Sequence, residues 1–400
     1  MGRRSLLAPA AFSVAIAVAL SINGFASAGS VTGTPVIVPW SYQAVAAGAA
    51  YTPSQAVAQA DRFAVIAANE NAYGTAAPSM LTSNPSLRLL AYVNGAYAQS
   101  NQGSTYPATW YLHTSSGAQV RSVGYGNYLM DVTNQGWINA VIARCQQTML
   151  KAHYIGCYLD MLGTASITQG YTNGQPIDPV THAPFSSPTW LGATSALARR
   201  VKTTLGAGVP VYGNGLGNGP RYFDTSAPSK QILSGIDGAL AESWLRSAPA
   251  DLSWYPTETN WLANVNMLTD AAAAGKGLLL TTKTWGAGTA AQLAAWHTYA
   301  VASYLMTANG KAAFSFLSSP KCDPTAADPL LSSLNLGAPS GAYAKVGGVY
   351  QRVFASGLVL VNPTRLTVAV TLHGTYKDTN GAVMTTVTMA PNAAEIFTAA

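Results

Sequence analysis

Two acidic residues stand at the ends of short apolar segments, where a barrel enzyme places its reactive groups. Asp160 ends a segment that begins at Tyr154, and Glu242 ends a segment that begins at Gly238. Both segments have the length and apolar character of buried strands. Carboxyl groups at the carboxyl ends of two barrel strands can hydrolyse a glycosidic bond: one attacks or activates water, and the other protonates the leaving oxygen. The pair predicts a hydrolase of O-glycosidic bonds.

Alternation along the two segments predicts which side chains share the inward face. Tyr158 falls on the face of Asp160, Leu240 on that of Glu242, and Trp244 comes just beyond. The apolar neighbours of Glu242 favour it as the acid, because desolvation disfavours a charged carboxylate. Acidic residues at strand ends also cap loops or form salt bridges. Because the chain has only 15 acidic residues, the occurrence of two at such ends favours catalysis.

Other polar residues near predicted strand ends are candidates for binding sugar hydroxyls. Asn94, Asn214 and Lys283 follow the third, fifth and seventh strands, although polar residues are common in loops for other reasons. Asp131 has two interpretations, of which capping a helix that starts near Thr133 is favoured over substrate contact.

Aromatic residues near the predicted mouth are candidates for contact with sugar rings. Trp40, Trp244 and Trp285 are predicted to stack on sugars, and Tyr158 to contact substrate, with packing as the alternative. No Cys/His spacing fits a zinc site, and the glycine-rich run from Gly213 lacks the lysine of a phosphate loop. We expect a mechanism without metal or cofactor.

Strands and helices alternate along the chain, which predicts an α/β fold of the (β/α)8 barrel type. The predicted strands are Val36–Pro39, Phe63–Ala67, Arg88–Val93, Tyr154–Leu159, Val209–Tyr212, Gly238–Glu242, Gly277–Lys283 and Ala312–Leu317. The predicted helices are Gln135–Leu150, Pro188–Leu205, Glu258–Ala274 and Thr289–Thr307. The two longest irregular stretches, 94–128 and 161–187, both follow strands, as expected of loops around a substrate site.

Beyond the barrel the pattern changes to short alternating strands. We predict a barrel domain over residues 29–320 and a linker with a small β-sandwich-like domain over 321–400. Its predicted strands are Tyr350–Phe354, Val359–Asn362, Val368–Leu372, Val383–Val387 and Ala394–Phe397. The dipeptide Asn380-Gly381 predicts a type I′ hairpin turn.

Composition suits an extracellular protein. The chain has 49% hydrophobic and only 9% charged residues and a net charge of +6, of which Arg3 and Arg4 supply two. No basic cluster remains beyond them, so nucleic-acid binding is not expected. Residues 1–28 have the three parts of a signal peptide, with a membrane anchor as the alternative. We expect a secreted protein, free or associated with the cell wall, without membrane insertion after cleavage.

Two of the three cysteines are predicted to face each other. Counted from the turn near Ala152, Cys145 lies about 9 Å along a helix and Cys157 about 10 Å along the following strand. A disulfide and two buried thiols are equally good interpretations. Cys322 has no evident partner.

Several segments together resemble a known family. Asp131-Val-Thr-Asn-Gln-Gly-Trp137, Tyr154-Ile-Gly-Cys-Tyr-Leu-Asp160, Ala241-Glu242-Ser-Trp and the tail from Tyr350 to Pro363 are similar to the glycosyl-hydrolase-like barrel family numbered fifteen, itself related to alpha-galactosidase and polygalactosaminidase barrels. The resemblance covers most of residues 88–400. It implies a retaining reaction on alpha linkages, with Asp160 as nucleophile and Glu242 as acid/base.

Two questions stay open at this level. The family's usual Gly–aromatic–Asp–Gly is replaced here by Tyr154-Ile-Gly-Cys157. Because of this difference, a non-catalytic carbohydrate-binding barrel or a structural wall protein is the alternative function. The stereochemistry is also open, since the carboxyl groups should lie about 5–5.5 Å apart in a retaining enzyme and about 6.5–9.5 Å apart in an inverting one.

Overall fold

The computed structural model describes residues 38–43, 51–318, 330 and 333–400, and gives only the backbone for 38–43. Eight parallel strands close into a barrel, in the order β1-β8-β7-β6-β5-β4-β3-β2. They are β1 Val38–Gln43, β2 Val65–Ala68, β3 Arg88–Asn94, β4 Gly156–Asp160, β5 Val211–Asn214, β6 Gly238–Ala241, β7 Gly277–Lys283 and β8 Ala312–Leu317. The predicted (β/α)8 barrel is confirmed.

Helices lie between successive strands. They are α1 Pro53–Ala60, α2 Glu70–Tyr73, α3 Ala77–Ser83, α4 Gln135–Ala152, α5 Ser187–Leu205, α6 Gly219–Tyr222, α7 Glu258–Ala273 and α8 Ala290–Leu305. Short 3-10 turns occupy Gly74–Ala76, Ala108–Trp110, Thr164–Ile167 and Ser229–Gly235. In the described part of the chain, no helix combines the length and apolarity that crossing a membrane requires.

Two strand ends differ from the prediction in ways that matter for the site. Strand β4 begins at Gly156 because His153 ends α4 in the left-handed conformation, with φ 58°, and Tyr154 still donates to the carbonyl of Met149. Strand β6 ends at Ala241, so Glu242 is the first residue of the loop that follows.

The barrel interior is a packed core. Its layer consists of inward side chains from successive strands, namely Val65, Ala67, Leu90, Tyr158, Tyr212, Leu240, Leu279 and Ala313, with Tyr92 at its edge. The barrel interior beneath the site is therefore filled with packed side chains.

A disulfide joins α4 to β4. Cys145 and Cys157 are bonded, with their Cα atoms 5.7 Å apart. The predicted pairing is confirmed, since Cys157 points away from the barrel axis toward the helix. Cys322 and the predicted signal peptide lie outside the described residues.

The C-terminal region folds as one six-stranded antiparallel sheet, in the order β9-β10-β11-β14-β12-β13. Its strands are β9 Ala344–Val346, β10 Val349–Phe354, β11 Gly357–Asn362, β12 Val368–Lys377, β13 Val383–Met389 and β14 Ala393–Ala399. The predicted small antiparallel domain is confirmed. One face of the sheet packs on the barrel, since Val359 and Ile396 belong to the same core as α8. On the other face, Leu360 and Val370 belong to a separate core of the C-terminal strands.

The hairpin between β12 and β13 also differs from the prediction. Gly381 has φ 83°, but Asn380 is not among the residues of positive φ, so the turn is not type I′. The amide of Gly381 donates to Asp378, and that of Asp378 to Ala382.

Candidate active site

Asp160 is the last residue of β4, and donors surround its carboxylate. The hydroxyl of Tyr92 donates to Oδ2 at 2.5 Å. The main-chain N–H of Met161 and the amide Nδ2 of Asn214 both donate to Oδ1 at 2.8 Å. The residue is only 6% exposed, so these bonds replace most of its hydration.

Glu242 follows the end of β6, two strands from β4 in the barrel, and its environment is different. Its side chain is 34% exposed and forms an ion pair with Lys283, whose side chain is 12% exposed. Its second oxygen, Oε2, accepts from Nδ2 of Asn214 at 2.8 Å. Glu242 therefore faces the open side of the mouth, held at both oxygens.

Asn214 joins the two acids through one atom. Its Nδ2 lies 2.8 Å from an oxygen of Asp160 and 2.8 Å from an oxygen of Glu242, so those oxygens can be no farther apart than twice that distance. Tyr92, Asp160, Asn214, Glu242 and Lys283 thus form one hydrogen-bonded row across five neighbouring strands, β3 to β7.

The two acids of the row, Asp160 and Glu242, differ in their electrostatic environments. Burial, followed by the charge of Glu242, raises the pKa of Asp160, while the donors Tyr92, Asn214 and the Met161 amide lower it; the net direction is upward. The expectation that Glu242 would be the desolvated carboxyl is wrong. The reason is that the side chain of Asp160 is buried at the end of β4, whereas that of Glu242 is partly exposed and forms an ion pair with Lys283 of β7.

The loop backbones next to the acids are tightly constrained. Met161 has φ 66°, a conformation uncommon for a residue with a side chain, and this turn directs its N–H at Asp160. Beside Asn214, Gly215 has φ 156°, and a Cβ there would meet the nitrogen of Gly163 at 2.4 Å. The close approach of these two loops holds Asn214 between the acids.

A comparison with protein families matches this region. The family described as hypothetical glycosyl hydrolase family 15 matches residues 82–358, more than half of the 400-residue chain. The chain belongs to this family. It is a glycoside hydrolase, and the match spans both acids together with strands β3 to β8. No curated protein matches the sequence.

Solved structures similar to this glycoside hydrolase differ greatly in sequence. A maltogenic alpha-amylase from Thermotoga neapolitana is similar over 91% of this chain and 96% of that one, with 8% identity and a TM-score of 0.46. A pullulanase from Anoxybacillus, complexed with maltotetraose, is similar over 86% and 64%, with 9% identity and a TM-score of 0.49. A cycloisomaltooligosaccharide glucanotransferase from Paenibacillus is similar over 91% of this chain, which spans 55% of that protein, with 10% identity and a TM-score of 0.43.

Two predicted sugar contacts of this family member are wrong. Tyr158 is fully buried in the interior layer, and its ring stacks on Tyr92 with centroids 6.0 Å apart. Trp244 is fully buried against the outer core, where its indole N–H donates to the carbonyl of Asn264 at 2.9 Å. Alternation fails at Trp244 because the strand has already ended at Ala241.

Two other predicted residues have structural roles. Oδ1 of Asn94 accepts from the amides of Ala96 and Tyr97, at 3.1 and 2.8 Å, and so holds the turn after β3. Oδ1 of Asp131 accepts from the amide and hydroxyl of Thr133, at 2.9 and 2.6 Å.

The cap of α4 is a different residue. The side chain of Asn134 accepts from the first amides of the helix, which begins at Gln135. The predicted cap at Asp131 is therefore wrong: Asp131 orders the turn that precedes the helix.

Of the remaining predicted residues, three have side chains that the structure describes, and Trp40 does not. Asn214 and Lys283 lie in the site, bonded to the acids instead of standing free for sugar. Trp285 is 39% exposed, with the ammonium of Lys283 4.8 Å from its ring centroid, and its stacking on sugar stays a prediction. The side chain of Trp40 lies outside what the structure describes.

The sequence prediction missed Tyr92. It lies on β3 two residues before Asn94, so alternation alone places it on the inward face. The β3–β4 register then sets Tyr92 opposite Tyr158. Its hydroxyl reaches up to Asp160, a contact that needs the register as well as the pattern. Among residues with described side chains, no three His, Cys, Asp or Glu lie together as metal ligands.

Proposed function

We propose that this glycoside hydrolase acts with retention of anomeric configuration, with Asp160 as nucleophile and Glu242 as general acid/base. The observation that carries the proposal is the shared Nδ2 of Asn214, which keeps oxygens of the two carboxyl groups within twice 2.8 Å. That limit on the nearest oxygens supports the spacing of about 5–5.5 Å of retaining enzymes over the wider spacing of about 6.5–9.5 Å of inverting ones.

The reaction then follows two displacements. The carboxylate of Asp160 attacks the anomeric carbon, the glycosidic C–O bond breaks, and Glu242 gives its proton to the leaving oxygen. In the second step Glu242 takes a proton from water, whose oxygen attacks the same carbon and releases Asp160. The net change is the addition of one water across the glycosidic bond.

The neighbours of the acids assist each stage. Tyr92, Asn214 and the Met161 amide stabilise the charge of Asp160, which must be ionised to attack although burial raises its pKa. Lys283 stabilises Glu242 after it has given up its proton. The partly exposed position of Glu242 leaves its carboxyl accessible to a leaving group in the mouth.

The proposed substrate is a polysaccharide or oligosaccharide with alpha linkages, outside the cell. The linkage comes from the family resemblance of the Asp160 and Glu242 segments. Export is supported by the three-part segment at residues 1–28 and by the Cys145–Cys157 disulfide, since such bonds persist mainly in oxidising compartments. The sequence of the mature amino terminus, determined on protein from the culture medium, tests it; intact protein retained in the cells would contradict export.

The reaction is tested by incubating the protein with a glycan panel and assaying new reducing ends. Proton NMR of the first product gives its anomeric configuration, and a fluorinated glycosyl fluoride followed by peptide mass spectrometry identifies the nucleophile. We expect retention and a label on Asp160. Inversion, or a label elsewhere, contradicts the mechanism.

Variants test the roles directly. Asp160→Asn and Glu242→Gln should each lower turnover by orders of magnitude. Asp378→Asn is the matched control, since Asp378 lies in the β12–β13 hairpin of the C-terminal sheet, where it accepts from the amide of Ala382. Wild-type activity in either site variant contradicts the assignment.

A further inference from the structure

The two long loops after β3 and β4 are joined into one structure beside Asp160. The loop wall, defined as residues 95–127 and 161–186, is held by main-chain hydrogen bonds: Val123 to Tyr171 at 2.8 Å, Asn173 to Arg121 at 2.9 Å, and Ile177 to His113 at 2.9 Å. Such bonding between the two loops gives the wall a fixed surface instead of two independent flaps.

Within the loop wall, a tight turn presents an aromatic ring to solvent. Ser122 and Asn127 bond across the turn at 2.8 Å, and the amide of Gly126 donates to Ser122 at 2.9 Å. The guanidinium of Arg121 donates to the carbonyl of Gly126 at 3.2 Å. Tyr125, at the tip, is nevertheless 71% exposed. The turn is ordered while its largest side chain contributes little to packing.

A second tyrosine connects this tip to the acids. The hydroxyl of Tyr171 lies 3.6 Å from the sulfur of Met161, the residue after Asp160, and its ring packs edge-on against Tyr97. Burial raises the pKa of Tyr171, and the charge of Asp160 raises it further; Tyr125 and Glu242 contribute in the same direction. Tyr171 therefore contacts the residue that follows Asp160 through its hydroxyl, while its carbonyl accepts from Val123 of the turn that carries Tyr125.

We propose that Tyr171 and Tyr125 form a sugar-binding subsite on the loop wall, next to Asp160, for neutral sugar units of an oligosaccharide. Tyr171 borders the unit at the reacting bond, and Tyr125 stacks on a unit farther out. Aromatic rings bind the apolar faces of pyranoses, and an exposed ring on a rigid turn does so with little loss of conformational freedom. The inference rests on the proposed function, since it assigns a subsite of the same cleft.

The opposite side of the mouth offers a matching surface. Trp285 follows β7, three strands from β4 in the barrel of eight, and lies beside Lys283, which pairs with Glu242. Tyr171 contacts Met161 on the β4 side of the acid pair, and Trp285 lies beside Lys283 on its β7 side. The site would thus accept a chain that extends to both sides of the cleaved bond.

Binding measurements on an inactive background test the subsite. In the Glu242→Gln protein, calorimetry with maltohexaose, isomaltohexaose and the matching disaccharides measures affinity without cleavage. We expect a hexasaccharide to bind and Tyr125→Ala to weaken it about 5- to 10-fold. The disaccharide should lose less than twofold, because it does not reach Tyr125.

Two variants serve as controls. Tyr125→Phe keeps the ring and should bind like the parent. Val123→Ala alters another exposed position of the same turn, 63% against 71% for Tyr125, and should change nothing. Equal binding by the Tyr125→Ala protein, or no binding of either hexasaccharide by the parent, overturns the subsite. Hexasaccharide binding that depends on Tyr125, in a protein whose wild type cleaves no glycan, would refute the proposed function and leave the subsite standing.

Discussion

Asp160 and Glu242 accept hydrogen bonds from the same nitrogen, Nδ2 of Asn214, at 2.8 Å each. The two hydrogens of that amide point to two different carboxylates, so one neutral side chain fixes their spacing without neutralising either. The positive charge beside the pair comes instead from Lys283, which forms an ion pair with Glu242.

The first prediction concerns this bridge. Asn214→Leu should lower kcat/KM about 10²-fold, because a donor to the nucleophile is lost and the spacing is no longer fixed. Asn214 lowers the pKa of Asp160, so its removal raises that pKa further and moves the acid limb of the pH–rate profile to higher pH. Kinetics across pH measure both effects; an unmoved acid limb would contradict the assigned nucleophile.

Tyr92 provides a subtler test of the same carboxylate. Tyr92→Phe removes one hydroxyl that lies 2.5 Å from Oδ2 of Asp160 and lowers its pKa. We expect about a tenfold loss of kcat/KM and, again, an acid limb at higher pH. Tyr154→Phe is the matched control, since that hydroxyl donates to the carbonyl of Asn69. The control should keep the wild-type pH profile. A shift of equal size in Tyr154→Phe would show that the shift in Tyr92→Phe does not report the contact with Asp160.

Stability gives a third, independent test of Asp160. Its pKa is higher in the folded than in the unfolded protein, so the folded state loses relative stability as pH rises through the interval between the two values. Asp160→Asn should therefore raise Tm at pH 7 and leave it nearly unchanged at pH 3. Asp224, whose pKa is lowered mainly by hydrogen bonds from Ala227 and Ser226, should show the opposite sign in Asp224→Asn. Scanning calorimetry at the two pH values measures both, and a lower Tm for Asp160→Asn at pH 7 would contradict the prediction.

Much of the barrel was predictable because strand ends are local features. The apolar segments and the residues that follow them placed Asp160, Asn214, Glu242 and Lys283 at one rim, where the structure has them. Their bonding was not predictable. Which donor meets which carboxylate depends on the register and shear of the barrel, which a pattern along one strand does not contain.

The failures at Trp244 and Glu242 share a cause. Period-two alternation holds only while a strand lasts, and β6 ends one residue earlier than predicted. Trp244 lies beyond the strand end and packs in the outer core, and Leu245, with φ 68°, follows it. The environment of Glu242 was misjudged because its partner, Lys283, comes from another strand forty-one residues later.

The disulfide yields a fourth prediction. Cys145 and Cys157 are 12 residues apart, and closing such a loop stabilises a fold by roughly 3 kcal/mol. The double variant Cys145→Ala/Cys157→Ala should lose about that much in urea unfolding while retaining kcat, because Cys157 faces the helix and not the mouth. Reductant should destabilise the wild type and leave the double variant unchanged. Equal stability with and without reductant in the wild type would show that the bond contributes nothing.

The last prediction concerns the junction between barrel and sheet. Arg352, only 6% exposed, donates from Nη1 to the carbonyls of Leu305 and Ala308, at 2.8 and 3.1 Å, and from Nε to Gly341 at 3.0 Å. It thus satisfies carbonyls at the end of α8 from a strand of the C-terminal sheet. Burial lowers its pKa to about 10, so the side chain stays charged at neutral pH.

Replacing this arginine should cost stability in proportion to the donors lost. Arg352→Leu leaves the carbonyls unpaired and should lower the free energy of unfolding by about 2–3 kcal/mol, whereas Arg352→Lys keeps the charge without the fork of donors and should lie between. Arg365→Leu, at an exposed position, is the control and should change less than about 0.5 kcal/mol. Urea unfolding measures all three. If Arg352→Leu matched the exposed control, the sheet would be held by its apolar face alone, since Tyr350, Val359 and Ile396 would remain packed on the barrel.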